Sequence, residues 1–169
     1  MGGTGIERLV RRFYDELWNR WDDAAVDDLL DEAFVFRGSL GDAVRGRDGF
    51  RAYRDKVRAA FPDFHNEIVD LIAGDGRAAA RLRYSGHHRG EILDVAPTGA
   101  AIAYAGAAFF TGRAPVKYRC RASNTWSDQE PKRRAPGVLD WRSEEGRLGE
   151  VWVLGDLDGL RRQLAEAAG

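Results

Sequence analysis

The stretch Gly146–Leu164 reads GRLGEVWVLGDLDGLRRQL. Two-residue alternation puts Leu148, Trp152, Leu154 and Asp156 on one strand face before the pattern turns helical. A carboxylate withdrawn from water among Trp and Leu side chains holds its proton more tightly, which suits a general base or acid. The following DGLRRQL is also a helix start, so Asp156 equally fits an N-cap. A carboxylate spent on its own helix's N–H groups is a poor base, and local sequence leaves both roles open.

The second candidate is His88. In RLRYSGHHRG (81–90), Leu82, Tyr84, Gly86 and His88 share one parity, while Arg81, Arg83, Ser85 and His87 share the other. His88 therefore points inward and His87 to solvent. An inward histidine is either a satisfied structural residue or a neutral imidazole that orients a carboxylate or a substrate carbonyl. His65 has no such argument and is expected at the surface. HxxxH, paired-cysteine and GxSxG motifs are absent, and the N-terminal GGTG follows no strand. Neither a metal nor a cofactor is expected.

These residues need elements to hold them. Ile6, Leu9, Val10, Phe13, Leu17 and Trp21 recur at helical spacing, with Tyr14 and Trp18 beside the stripe. Asp22 and Asp23 can cap a short second helix carrying Val26, Leu29 and Leu30. AFVFRG (33–38) reads as a strand, and residues 46–61 as a third helix that Pro62 ends. The period then becomes two. Residues 67–73 and 77–88 form a hairpin around GDG, 101–110 is a further strand, and 138–156 reads as a final hairpin turning over Ser143–Gly146 before a closing helix. Helices followed by an antiparallel meander describe an α+β domain with a pocket between helices and a curved sheet. Ala101, Ala103, Ala105 and Ala107 share one face, which either admits a helix closely or leaves a cavity. Tyr14, Trp18, Phe36, Phe61, Tyr104 and Trp152 are candidates to line that cavity, with simple core packing as the alternative. Residues 112–137, rich in Lys, Arg and Pro, read as a long surface loop, with a strand at KYRCR as the alternative.

The chain has 169 residues, 44% hydrophobic and 31% charged, with a net charge of −1. That is one soluble domain with no field to draw nucleic acid or an anionic membrane. Its one cysteine, Cys120, excludes an internal disulfide and fits a reducing, cytoplasmic compartment. The N-terminus becomes charged too early for a signal peptide, and no apolar run is long enough to span a membrane.

Four stretches, VRRFYDELWNRWD (10–22), RGRDGFRAYRDKVRAAFPDF (45–64), GHHRGEILDVAPTG (86–99) and EVWVLGDLDGLRRQL (150–164), resemble the SnoaL-like polyketide cyclases of the nuclear transport factor 2-like superfamily. The resemblance implies a cone-shaped, cystatin-like α+β fold with a deep apolar pocket. It also implies intramolecular aldol closure of a hydrophobic aromatic or polyketide ester, without metal or cofactor, in a homodimer. Its acid–base aspartate falls on Asp156 and its pocket histidine on His88. Many relatives carry Asp-His after the first strand's Phe-Val, where this chain has Phe36 and Arg37. Arg37 becomes the polar group available to hold a water, as epoxide opening in the same pocket would need. A non-catalytic binding or dimerisation module is the further alternative.

Overall fold

The computed structural model describes residues 5–41, 43–113 and 146–169. The segment expected to be a long loop (112–137) and the first strand of the expected final hairpin fall mainly on residues 114–145, outside the described residues. Helix α1 (Gly5–Arg12) runs into a π-helical stretch, Phe13–Asn19, then α2 (Ala24–Leu29) and strand β1 (Leu30–Arg37). A two-residue strand β2 (Val44–Arg45) leads into α3 (Gly46–Ala60). Strands β3 (His65–Gly74), β4 (Arg77–His87), β5 (Ala101–Arg113) and β6 (Arg147–Gly155) follow, and α4 (Leu157–Ala168) closes the chain.

The strands form one curved sheet in the order β2-β1-β6-β5-β4-β3. All neighbours are antiparallel except β1 and β6, which run parallel. The β3–β4 turn is the two-residue Asp75-Gly76. Both residues have positive φ (50° and 71°), the twist that matches a right-handed hairpin.

Of the N-terminal stripe, Ile6, Leu9, Val10, Phe13 and Leu17 are buried, as are Tyr14 and Trp18 beside it. Trp21 lies beyond the helical stretch, with φ 55°, and is only partly buried. The Arg20 N–H bonds the Asp15 carbonyl at 3.1 Å, five residues back, so the helix is wound wide at its end. Against this stripe, β1 contributes Phe34 and Phe36, α3 contributes Phe50, and β5 contributes Phe110. Phe50 meets Phe13, Trp18, Phe34 and Phe36 with ring centroids 5.3–5.8 Å apart, most of them edge to face. This contact ties two helical segments to β1.

A bulge in β6 sets which side chains face that core. Thr111 pairs with Glu150 but Gly112 pairs with Leu148, so Gly149 is an extra residue on β6. Leu148 and Val151 are both buried on either side of it. Alternation resumes from Val151, which sends Trp152 and Leu154 outward, 51% and 50% exposed.

Helix α4 docks where β6 stops. The Gln163 side chain accepts from the Ala103 N–H at 2.9 Å and donates to the Ala103 carbonyl at 2.8 Å. The Asp156 N–H bonds the Ala105 carbonyl at 2.9 Å. One amide side chain thus continues the ladder of β5 past the last residue of β6. Leu160 and Leu164 are fully buried beneath it. The alanine stripe admits no cavity: Ala101, Ala103 and Ala105 are exposed on the outer face.

Phe50→Ala removes the ring that joins helix and sheet, and is expected to cost about 3–5 kcal/mol of stability. Urea unfolding followed by circular dichroism measures it.

Candidate functional site: a phenol-lined apolar cavity

Between the helices and the inner face of the sheet lies a cavity of about 510 Å³, counting the part open to solvent. The π-helical stretch supplies Phe13, Tyr14 and Trp18, β1 supplies Phe36, and the loop after it supplies Gly38, Ser39 and Leu40. Helix α3 gives Tyr53 and Val57, with Phe61 and Phe64 just beyond it. Strands β3 to β6 complete the wall with Asn66, Tyr84, Tyr104 and Val153. All of these side chains are uncharged.

Tyr14 and Trp18, four residues apart on the π-helical stretch, reach the same wall, and such segments recur at functional sites. Two glycines make room for the phenols. A Cβ on Gly38 would collide with the Tyr53 hydroxyl, and one on Gly106 would lie 2.5 Å from Tyr84 Cε2. Tyr84 and Tyr104 face each other at 4.9 Å, and Phe64 stacks on Tyr84 at 5.7 Å. Tyr53 Oη accepts the Leu40 N–H at 3.3 Å. Asn66 is fixed by Asn19, whose Oδ1 accepts the Asn66 N–H at 2.8 Å and its amide N–H at 3.4 Å.

Tyr14 Oη, Trp18 Nε1 and Tyr84 Oη are buried without a hydrogen-bond partner among the described residues. The Tyr14 and Tyr84 hydroxyls lie near enough to perturb each other, yet they complete no bond of good geometry. Burial pushes the pKa of Tyr14, Tyr84, Tyr104 and Tyr53 above the usual phenol value. These phenols act as donors at neutral pH, never as bases.

Of the residues expected at the site, Tyr14, Trp18, Phe36, Phe61 and Tyr104 line the cavity. Trp152 does not; the β6 bulge turns it outward. Arg37 is also on the outer face, where its Nε meets Glu150 Oε1 at 3.1 Å, so it holds no water in the cavity. Asp156 is exposed, and its Oδ1 accepts the Gly159 N–H at 2.9 Å as the N-cap of α4. The expectation of a desolvated carboxylate is corrected: alternation counted from Leu148 crosses the bulge and inverts.

His88 is fully buried, as its parity requires, but it lines the wall behind Phe61 and not the cavity itself. Its Nδ1 accepts the Thr98 N–H at 3.2 Å, and its backbone pairs with Gly99 and Ala100. This pins the 89–99 loop to the end of β4. Acceptance at Nδ1 leaves the proton of a neutral ring on Nε2, which has no partner among the described residues. His87, on the outer face, holds Asp63 at 2.6 Å.

Tyr84, Tyr53, Asn66, Phe64 and Val153 were not singled out in the sequence. Tyr84 carried a usable signal, since it shares inward parity with Leu82 and His88.

A family model described as SnoaL-like polyketide cyclase matches residues 8–114. The chain belongs to this family. A protein from Jannaschia sp. CCS1, assigned as a SnoaL-like polyketide cyclase, superposes with a TM-score of 0.70 at 16% identity, over 95% of this chain and 92% of its own. TsrD from Streptomyces laurentii gives 0.66 at 22% identity, over 97% of both chains. A protein of ketosteroid isomerase-like fold from Catenulispora acidiphila, in complex with trimethylamine, gives 0.65 at 12% identity, over 96% and 95%. Identities this low establish the shared fold, the ketosteroid isomerase and nuclear transport factor 2-like one. No curated protein sequence matches the chain. Among the described residues no helix is long and apolar enough to cross a membrane.

The four buried phenols have a pH signature. Their folded-state pKa values lie above those of the unfolded chain, so their neutral forms contribute stability below about pH 10 that is lost as pH rises further. The denaturation midpoint is expected to stay flat from neutrality to about pH 9 and then fall. Most tyrosinate absorbance is expected to appear together with loss of the circular dichroism signal.

Proposed function

We propose that this protein binds a neutral, mostly apolar, carbonyl-bearing small molecule of polyketide type and closes a ring in it by intramolecular aldol-type condensation. The observation that carries the reading is the cavity: aromatic and, among the described residues, without a charged lining residue, in a chain of the SnoaL-like cyclase family. In the reaction, the α carbon of one carbonyl attacks a second carbonyl of the same molecule. The α C–H proton is released, and the new alkoxide takes one up. Holding the chain folded so that both ends meet supplies much of the rate, since intramolecular effective molarities reach about 10⁵–10⁸ M. The neutral phenols donate to carbonyl oxygens, which makes one carbonyl a better electrophile and the other easier to enolise.

Among the described residues the lining contains no carboxylate or imidazole, and this observation favours a second reading, a binding protein without turnover. The two separate by mass spectrometry after incubation with aromatic polyketide esters. A cyclised isomer of unchanged mass is expected under the first reading. Saturable binding with unaltered ligand means the second.

Asp156→Asn addresses proton transfer. Asn caps helices about as well as Asp, so stability is expected to hold. From the exposure of Asp156 and its bond to Gly159, turnover is expected to stay within about threefold of the parent. A much larger loss at unchanged stability would return Asp156 to the chemistry.

The reading includes a homodimer formed through the outer face of the sheet. Trp152 of β6 lies opposite Phe109 of β5, which is 48% exposed, with Leu154 beside them and Ile72 of β3 further along the same face. Trp152→Glu is expected to convert a dimer to a monomer in light scattering, with circular dichroism unchanged.

A further inference from the structure

We infer that Tyr14, Tyr84 and Trp18 together form an oxygen-binding donor cluster that holds one carbonyl oxygen of the ligand and strengthens its grip as that oxygen becomes an enolate. The inference rests on the cavity being the ligand site.

Tyr14 Oη, Tyr84 Oη and Trp18 Nε1 belong to lining residues that are 3%, 4% and 5% exposed, and none has a partner among the described residues. Indole N–H donates and accepts nothing; each phenol donates one proton. Suppose a small rotation completed a bond between the two hydroxyls. One donor would be satisfied, and the second phenol and the indole would still have no acceptor. At least two buried donors are therefore left over. Donors left unpaired in a buried site cost about 1–3 kcal/mol each, which a ligand acceptor relieves.

The arrangement selects the kind of atom that relieves it. A hydroxyl hydrogen would add a further donor to a cluster already in excess, whereas a carbonyl oxygen brings two lone pairs and no hydrogen. Trp18 and Tyr14 are placed one turn apart by the π-helical stretch, and Tyr84 approaches from β4. Among the described residues no cation lines the wall, so a carboxylate or phosphate would meet no countercharge from them. The fitting group is the oxygen of a ketone, ester or aryl ketone. When the adjacent C–H bond breaks, its proton passing to water and its electron pair moving onto that oxygen, the same donors face a full negative charge in an apolar cavity. Charge-assisted bonds are about twice as strong as neutral ones, so the cluster binds the enolate better than the ketone.

The test uses an isosteric pair of probes, 2-acetylnaphthalene and 2-isopropenylnaphthalene, measured by calorimetry on the full chain. The parent is expected to prefer the ketone about tenfold, and Tyr14→Phe and Tyr84→Phe each to lower ketone affinity about three- to tenfold, with the hydrocarbon within about twofold. Equal binding of both probes by the parent, or parallel losses for both in the variants, overturns the cluster while leaving the cavity a ligand site. If neither probe binds, the ligand-site reading and the cluster fall together. The double variant supplies a check without ligand: removing two unpaired hydroxyls is expected to leave the denaturation midpoint at or above the parent's. A marked fall would mean the hydroxyls are bonded within the protein, and would overturn the inference.

Discussion

Burying a polar hydrogen without an acceptor is among the more expensive things a fold can do, and this chain does it repeatedly around one hollow. Tyr14, Trp18 and Tyr84 each bring a buried donor to a wall made mostly of aromatic and aliphatic side chains. Phenylalanine in place of the two tyrosines would pack comparably and avoid the cost. Tyr14 and Trp18 are carried on the wide helical turn beside the aromatic cluster of Phe13 and Phe50, and Tyr84 fits because Gly106 has no side chain. The site is therefore costly and rigidly built, the combination expected where a fold trades stability for recognition.

The cavity also separates two jobs that the C-terminal motif seemed to combine. In GDLDGLRRQL, Asp156 caps α4, Leu160 and Leu164 fill the space under it, and Gln163 satisfies the backbone of Ala103. Each of these residues has a structural task. The loop GHHRGEILDVAPTG is similar: His88 ties it to Thr98, and the Gly90 N–H bonds the Ala60 carbonyl at the end of α3.

Most of the architecture was legible in the primary structure because its periodicities are clean. The stripe from Ile6 to Trp18, the face of α3, and the Asp75-Gly76 hairpin were all readable from spacing and turn chemistry. The π winding was not, since residues three and four apart share a face in either helix form. The inner and outer faces of β6 were misread for a definite reason. A strand's alternation carries no absolute phase, and one inserted residue reverses everything beyond it. Gly149, an interior glycine in an otherwise regular strand, was the available warning. Misphasing moved Trp152 and Asp156 inward on paper, while the β4 parity, unbroken by any bulge, placed Tyr84 and His88 correctly. Tyr53 shares the helical spacing of Phe50, Val57 and Phe61, whereas Asn66 reaches the cavity through tertiary packing that no local pattern encodes.

The Gln163 amide has a consequence for how this chain avoids sticking to others. Beyond the last residue of β6, the N–H and C=O of Ala103 would stand open, a template on which a foreign extended peptide could lay itself down. A single side chain occupies both groups at once. Helix α4 is thus also a guard: if it were clipped or frayed, the freed rim of β5 would become a seed for strand-by-strand aggregation.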